Sequence, residues 1–481
     1  MREDLRGGGE AALRLVRGGE LRDSVDFTAP GAWLDLDAGT RCWVGRDLLP
    51  TRDEVEGRRT WLGVLARRAE PTEARLALAL CHHDGRVREA ALRPATAFPD
   101  LMPLVVVRAA DWAGPVRERA RSLLRAALDA GAAVTLAPLI LLVGRRDRGA
   151  FAVGLLTGVL RRAPLDRFAP LFTAQDPAVR RFAYRLAIEE RLLSPAGLAR
   201  AAALDSDVVV QDLCADAALA AAVPAKSYHD VLGPLLGARN PRARSAGVTA
   251  LRRAGRPEDA VAFLGDRSAL VRACARYVVR RYGTDPAPLY RAWCAAADDP
   301  ALRPGNVIGL AECGERADAG LLRPLLAHPA PGVRARAVAA LRLLDVSDVR
   351  LLRPLLDDPE PGVVREATAA LLPAAERLPE EWLAERLGAE RPRHARVAAF
   401  RLLDARGGVV RLRAAVALLD DADDRLRTWA GQSVQGWRPS AEVRLGDPEV
   451  GELLDRGRHL FSDHVLRLRC TMPDGPRAPA C

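Results

Sequence analysis

The amino-acid sequence predicts an all-α protein, an α-solenoid of about twelve repeated helix pairs. The stretches LLRPLLAHPAPGVRARAVAAL (321–341) and LLRPLLDDPEPGVVREATAAL (351–371) are nearly identical, and self-similarity at a period of about 20–50 residues indicates a repeat array. At 481 residues the chain is also too long for one ordinary hydrophobic core. Apolar residues make up 49% of it but aromatic residues only 5%, which suits thin, closely packed helices.

The repeat is defined by one position, called position 0 here, which is arginine in nine of twelve repeats. Successive positions 0 are 28 to 33 residues apart. They are held by Arg88, Arg117, Gly149, Arg180, Gln211, Arg244, Arg272, Arg303, Arg334, Val364, Arg396 and Arg427. The residue at position +3 is Ala, Gly or Cys in eleven repeats, the exception being Asn306. These marks stay in phase along most of the chain, so we interpret it as one array.

Each repeat reads as a helix, a turn and a second helix. The first helix often holds a Pro-Leu pair, at Pro138, Pro170, Pro234, Pro324 and Pro354, and this proline is expected to kink it by removing a hydrogen bond. A turn such as DDPEPG (357–362) follows, and a Val-Arg pair opens the second helix. The small residue at +3 lets two helix backbones approach closely. One such pair cannot bury its own apolar face, so neighbouring pairs must stack.

The pattern D-P-x-P-x-V-R-x-x-A-x-x-A-L resembles the HEAT repeat, particularly the short bacterial variety first noted in phycobilin lyases. The resemblance covers residues from about 70 to 438 and is clearest around Arg334 and Val364. It is weakest around Gly149 and Gln211, which lack the arginine. The resemblance implies a HEAT-like superhelix in which the position-0 arginines pair with acidic residues of the turns. We therefore expect these arginines to be structural.

The two ends of the chain do not fit the repeat. We divide it into a non-repeat segment (1–58), the HEAT-like array with its capping helices (59–470) and a flexible tail (471–481). Within the first segment, AWLDLDAGTRCWVG (32–45) alternates around a Gly-containing turn and can form a β-hairpin. A short helix at 59–70 and a final helix at roughly 447–468 are expected to cap the array, because terminal repeats would otherwise expose apolar faces.

The sequence offers no metal, cofactor or catalytic site. CHHD (81–84) lacks the second ligand pair that tetrahedral zinc requires, and His459 and His464 are five residues apart, not four as in a zinc protease. The single lysine, Lys226, follows no Gly-rich loop, which excludes a P-loop and a kinase core. The eight cysteines form no C-x-x-C pair and are expected to be reduced.

The sequence does not favour two further enzyme classes. GQSVQG (431–436) resembles a nucleophile elbow, but Ser433 falls on a core position of its repeat. The DNA glycosylases of HEAT fold use an acidic residue with tryptophans in a cleft. Here Trp112, Trp293, Trp382, Trp429 and Trp437 are scattered, with no pair at equivalent positions of adjacent repeats. We expect no enzyme activity.

The formal charge of +10 comes from 71 arginines and one lysine. Residues 117–185 hold thirteen arginines and five acids, and positions +1, +2, +4 and +5 of the second helices are expected to face the concave groove. The candidate groove contacts are Arg119, Arg121, Arg181, Tyr184 and Arg185. Such a patch can bind phosphates or an acidic protein surface. The alternative is a solvated helix face in a chain whose arginine content reflects a GC-rich coding sequence.

These observations favour a non-catalytic scaffold that binds a protein or peptide partner in the groove of the array, without a cofactor. Nucleic-acid backbone binding, as in the HEAT-fold DNA glycosylases, is one alternative, and a chromophore lyase or chaperone is another. No apolar stretch approaches the roughly 20 residues that a membrane helix needs. The opening MREDLRGGGE is unlike a signal peptide. We therefore expect a cytoplasmic protein without membrane contact.

Overall fold

The computed structural model describes residues 2–56, 72–222, 228–439, 447–462 and 465. Within these ranges all regular secondary structure is α-helix or 3-10 helix, and no strand is present. The predicted all-α class is therefore confirmed for this part of the chain. The chain divides into two compact units, Met1–Ala243 and Arg244–Cys481. No helix in the described ranges is both long enough and apolar enough to cross a membrane.

The N-terminal unit begins with four helices outside the repeat. They are α1 (Arg2–Val16), α2 (Leu21–Ser24), α3 (Pro30–Trp43) and α4 (Arg52–Glu56). Helix α3 replaces the β-hairpin that the sequence indicated at 32–45, so that prediction is wrong. The buried residues of α3 include Trp33, Leu36 and Thr40, and their spacing of three and four residues is helical rather than alternating.

The glycine that resembled a hairpin turn is the point where α1 and α3 cross. Gly39 on α3 faces Gly8 on α1, and a Cβ built on Gly39 would lie closer than 3.0 Å to the Gly8 backbone. A Cβ on Gly8 would in turn lie closer than 3.0 Å to the carbonyl of Asp35. The two helices are therefore in direct backbone contact, which only glycine permits at these positions.

The repeats of the N-terminal unit follow as helix pairs. Their helices are α5 (Glu73–Leu80), α6 (Gly85–Ala95), α7 (Met102–Arg108), α8 (Gly114–Ala127), α9 (Ala130–Val143), α10 (Ala150–Arg162), α11 (Leu165–Phe168), α12 (Pro177–Glu189), α13 (Pro195–Leu204), α14 (Val208–Ala221) and α15 (Tyr228–Leu236). First helices pack on first helices, as α5 on α7, and second helices on second helices, as α6 on α8. This stacking is the packing expected of an α-solenoid.

Helix α16 (Pro241–Ala250) contains the division between the two units. The remaining helices are α17 (Ala269–Arg281), α18 (Pro286–Ala295), α19 (Pro304–Cys313), α20 (Ala319–Leu322), α21 (Pro331–Leu343), α22 (Val349–Leu352), α23 (Pro361–Leu371), α24 (Glu380–Ala384), α25 (Arg393–Arg406), α26 (Gly408–Val416), α27 (Asp424–Gly436) and α28 (Pro448–Arg456). In the C-terminal unit α19 packs on α21, α21 on α23 and α23 on α25. The second helices therefore stack here as well.

The small residues at position +3 lie inside these stacks. Ala120, Ala183, Ala337 and Ala430 are completely buried. Even the exception, Asn306, is buried. A side chain no larger than these leaves room for the neighbouring helix, as the sequence predicts.

The proline that recurs in the repeats changes the first helix at three of its five positions. Pro170, Pro324 and Pro354 lie in 3-10 helices (Ala169–Thr173, Pro324–Ala327 and Arg353–Asp357), each of which follows a short α-helix with at most one residue between them. The missing N–H prevents the α-helix from continuing there. Pro138 and Pro234 instead lie inside α9 and α15. The predicted kink is thus a switch to 3-10 geometry at three positions.

The N-terminal segment packs on the first repeats. Helix α1 contacts α5, α3 contacts α7 and α9, and α4 contacts α6. The predicted capping helix at 59–70 lies outside the described residues, as do 463–464 and 466–481, which include the predicted tail. Helix α28 begins within the final helix that the sequence predicts.

The α1–α3 crossing gives a stability prediction. Changing Gly39 to Ala should lower the free energy of unfolding by about 1–3 kcal/mol, because the added methyl group overpacks the contact with Gly8. Gly31→Ala is the matched control on the same helix, since its new Cβ would meet only a side-chain oxygen of Asp35 at 3.9 Å. Denaturant unfolding of both variants provides the measurement. Equal stabilities would contradict a backbone contact at Gly39.

Candidate functional site

The position-0 arginines join consecutive turns of the array. Arg334 Nη1 donates to the carbonyls of His328 and Pro329, at 2.9 and 3.0 Å, in the turn of its own repeat. Its Nε and Nη2 donate to both carboxylate oxygens of Asp358, at 2.8 and 2.9 Å, in the turn of the next repeat. Asp358 also accepts from the backbone N–H of Glu360 at 2.9 Å. One guanidinium therefore fixes the spacing between two turns.

The same bridge recurs along the chain. Both carboxylate oxygens are bonded in Arg88–Asp111, Arg180–Asp205, Arg244–Asp266 and Arg334–Asp358. A fifth pair is Arg396–Asp421, in which Arg396 Nη2 donates to one carboxylate oxygen and Nε to the carbonyl of Leu387. In four of the five pairs the next position-0 residue donates to the backbone carbonyl of the same aspartate, as Arg117, Gln211, Arg272 and Arg427 do. Each such aspartate is thus bonded by two consecutive repeats. The structural role expected for the arginines agrees with this geometry.

The repeats that lack arginine show how the pattern tolerates change. Gln211 still reaches the carbonyl of Asp205, at 2.8 Å, through its side-chain amide. Val364 has no side-chain donor, and the carbonyl of Asp358 lies instead 3.3 Å from His394 Nε2. The bridge also changes in one repeat that keeps its arginine, because the Arg272 guanidinium pairs with Glu312 on α19 instead of a turn aspartate. The bridge is therefore replaced locally without loss of the helix stack.

In the N-terminal unit the bridge extends into the non-repeat segment. The side chain of Arg108 is only 2% exposed and lies 2.5 Å from Asp37 on α3 and 2.8 Å from Asp111. Burial by itself would raise the pKa of the Asp111 carboxyl, but the hydrogen bond from Arg88 and the charge of Arg108 hold that pKa below its ordinary value. The segment is therefore tied to the first repeats by buried charges.

The CHHD stretch belongs to this scaffold. Burial, followed by the charge of Asp37, raises the pKa of the Cys81 thiol to about 12. The Nδ1 atom of His82 accepts the Asp84 N–H at 2.8 Å, and the carbonyls of His82 and His83 accept from Arg88. In the part of the chain that the structure describes, no cluster of three or more His, Cys, Asp or Glu side chains is arranged to hold a metal ion.

The five candidate groove contacts have different environments. Arg119 and Arg185 are exposed and make no side-chain hydrogen bond or ion pair among the described residues. Arg121 donates to the carbonyl of Ala109 and stacks on the Phe151 ring. Arg181 makes two hydrogen bonds to Asp207, at 2.8 and 2.6 Å. Two of the four predicted arginines are thus used within the molecule.

The fifth candidate, Tyr184, packs on the ring of Phe172 with 4.7 Å between ring centroids. Burial raises the pKa of the Tyr184 hydroxyl to about 12. Because the ring is half-buried against a neighbour, only part of it is available to a ligand. That these five residues contact a partner stays a prediction.

Arg119 lines a polar cleft in the N-terminal unit. The cleft has a volume of about 710 Å³. Its charged residues are Arg52, Glu56, Arg86, Glu89, Arg93 and Arg119. They come from α4, α6 and α8, so the second helices of two repeats contribute to one surface, as the positional rule predicts for Arg119.

A second cleft lies on the C-terminal unit, and the sequence did not indicate it. It also has a volume of about 710 Å³ and is lined by Leu372, Val397, Phe400, Arg401, Asp404, Ala405, Arg411, Trp429, Gln432 and Ser433. We call it the Trp429 cleft. Val397, Phe400 and Arg401 hold positions +1, +4 and +5 of one repeat, and Trp429 and Gln432 hold +2 and +5 of the next. The other lining residues, such as Asp404 and Ser433, do not hold groove positions, so the positional rule alone does not define this cleft.

A polar cluster lies at the Trp429 cleft. Ser433 Oγ donates to Asp404, and Arg411 Nε donates to Ser433 Oγ at 3.0 Å. Arg411 also lies 3.2 Å from the Asp404 carboxylate. Ser433 is buried, as its core position predicts, and its hydroxyl is part of this cluster.

Comparison with known proteins does not assign a family. No family model matches the chain, and no curated protein matches it. Among solved structures, it is similar to importin beta crystallised in an ammonium sulfate condition, at 14% identity and a TM-score of 0.33, covering 94% of this chain and 66% of that one. It is also similar to Kap121p, at 14% identity and a TM-score of 0.27, covering 88% of this chain and 48% of that one. The chain thus spans about half the length of Kap121p.

An engineered protein is also similar, at 18% identity and a TM-score of 0.22, covering 75% of this chain and 97% of that one. Kap121p has also been crystallised bound to Pho4p and, separately, to Nup53p. Since all these identities are below 20%, the similarities leave the function to be argued from the chain's own residues.

The bridge geometry predicts the cost of removing one arginine. Arg334→Ala should lower the free energy of unfolding by about 1–3 kcal/mol, because Asp358 loses its guanidinium partner in a largely buried position. Arg336→Ala is the control, since Arg336 lies two residues further along the same helix and is exposed. Urea unfolding of the two variants is the measurement. If Arg334→Ala instead melts like the wild type but loses its partner, Arg334 is a binding residue.

The bridges also predict sensitivity to acid. The arginine hydrogen bonds hold the pKa of Asp358, and likewise that of Asp266, below the ordinary value even though burial alone would raise it. A lowered pKa contributes stability above the unfolded-state value of about 3.9, and this stability is lost as pH falls through the lowered value. The melting temperature should therefore drop as the pH falls below about 4. Asp358→Asn should show a smaller drop, and an equal drop would contradict the assignment.

Proposed function

We propose that this protein is a non-catalytic interaction scaffold that binds a protein or peptide partner along the exposed face of its second helices. In this proposal about twelve HEAT-like helix pairs, residues 59–470, form one array. The observation that carries the proposal is the Trp429 cleft, where a large aromatic side chain remains 40% exposed beside a buried aromatic, Phe400. Tryptophan and arginine in such a pocket are the residues that most often dominate binding energy at protein interfaces.

The distribution of polar bonds supports the same proposal. The buried bridge residues hold the turns together, whereas positions +2 and +5 of the second helices supply exposed residues such as Arg119, Arg185 and Trp429. These positions are buried in some repeats, as at Ala339 and Ala398, but where they are exposed a residue can change without loss of a bridge. A stack of packed helices that presents such exposed side chains suits recognition, because little ordering is needed on binding.

The nucleic-acid alternative has weaker support. It needs several arginines free to neutralise phosphates on one surface. Of the four arginines that suggested it, Arg121 donates to a backbone carbonyl and Arg181 is paired with Asp207. These bonds would have to be given up before either residue could bind a phosphate.

Partner capture tests the proposal. Tagged full-length protein, incubated with extract of its native host, should retain a partner that a Trp429→Ala variant loses by about tenfold or more, because the main apolar anchor of the cleft is removed. Leu343→Ala is the control, since Leu343 is 56% exposed and lies outside the cleft in the same compact unit. Quantitative mass spectrometry of the retained proteins gives the readout. Equal recovery with all three proteins would contradict binding at this cleft.

A further inference from the structure

We infer that the Trp429 cleft receives an acidic peptide segment that carries a large apolar side chain, with the apolar group against Trp429 and a carboxylate against Arg401. This inference rests on the proposed function and specifies the chemistry of the partner. It follows from the lining of the cleft and from the balance of charges within it.

The apolar part of the cleft selects a large side chain. Trp429 on α27 is 40% exposed, and Phe400 on α25 is 4% exposed. Leu372 and Val397 are partly buried and complete the apolar lining. An indole left in water beside such residues gains most when a bulky apolar group covers it.

The charged part selects an acid. Asp404 accepts a hydrogen bond from Ser433 and lies 3.2 Å from Arg411, so its charge is largely satisfied within the molecule. Arg401 lies on the exposed side of α25 and makes no side-chain hydrogen bond or ion pair among the described residues. Two arginines and one aspartate leave an excess of one positive charge. A carboxylate complements it, and a lysine or arginine of a ligand is repelled.

The small excess of positive charge in the Trp429 cleft favours a peptide over a nucleic acid. Binding to a nucleic-acid backbone depends on several cations, each neutralising one phosphate. Among the residues that the structure describes, the cleft offers one guanidinium without a side-chain partner, that of Arg401, beside an apolar lining. Because Arg401 and Trp429 line the same cleft, one short segment with an apolar residue near an Asp or Glu can reach both.

Labelled peptides provide the test. We would measure binding to the full-length chain by fluorescence anisotropy with four short peptides of equal length. The first consists of Glu with Leu and Trp, the second replaces Glu with Gln, the third replaces Glu with Lys, and the fourth replaces Leu and Trp with Ala. The protein variants are Trp429→Ala, Arg401→Ala and the control Arg425→Ala, an exposed arginine of α27 that does not line the cleft.

The acidic apolar peptide should bind most tightly. Trp429→Ala should weaken it by about tenfold or more. Arg401→Ala should weaken it by about two- to fivefold and reduce its dependence on salt. Arg425→Ala should bind like the wild type. Equal binding of the Glu, Gln and Lys peptides would overturn the inference, and so would an unchanged affinity in Arg401→Ala or no binding of any peptide.

The two proposals fail in different ways. If extract capture depends on Trp429 but peptide binding does not depend on charge or on Arg401, the scaffold function stands and the acidic partner is wrong. If neither capture nor peptide binding changes in Trp429→Ala, the cleft is not a binding site and both proposals fall.

Discussion

The structure depends on the bidentate bond between a position-0 arginine and an aspartate in the turn of the next repeat. Arg88 and Asp111 show it fully buried, with side chains 0% and 1% exposed. A buried pair of this kind adds little net stability over an apolar pair, but removing one partner is costly because the other charge is left without compensation. Its main effect is geometric, since two parallel hydrogen bonds fix the distance and orientation of neighbouring turns.

Once the turns are fixed, the helices need only small residues between them. Ala91 and Ala337 are completely buried at position +3 of their repeats, so neighbouring helices can lie close together without bulky side chains. This packing uses few aromatic residues, which agrees with the 5% aromatic content. The aromatic side chains that remain exposed, such as Trp429, are therefore not required by the stack and are available for recognition.

The N-terminal segment uses the same chemistry for a different purpose. The Asp111 carboxylate accepts a hydrogen bond from Arg88 of the first repeat and also pairs with Arg108. Arg108 pairs in turn with Asp37 of α3. A single aspartate thereby links the non-repeat helices to the first repeats. The close approach of Gly8 and Gly39 brings α1 and α3 into the same packed layer. The N-terminal segment does not fit the repeat pattern, but these contacts make it part of the packed structure of the first repeats.

The sequence by itself determined the helical class, the phase of the repeat and the burial of position +3, and its resemblance to HEAT repeats implied that the arginines pair with acidic residues of the turns. These features are local or recur at a fixed spacing, so one chain displays them several times. The segment 32–45 was misread as a hairpin because a glycine at a helix crossing looks like a turn glycine, and only its contact with Gly8 tells them apart. The Trp429 cleft likewise needed the tertiary structure. Its residues come from two repeats about thirty positions apart, and which arginines stay free depends on partners that sequence does not reveal, such as Asp207 for Arg181.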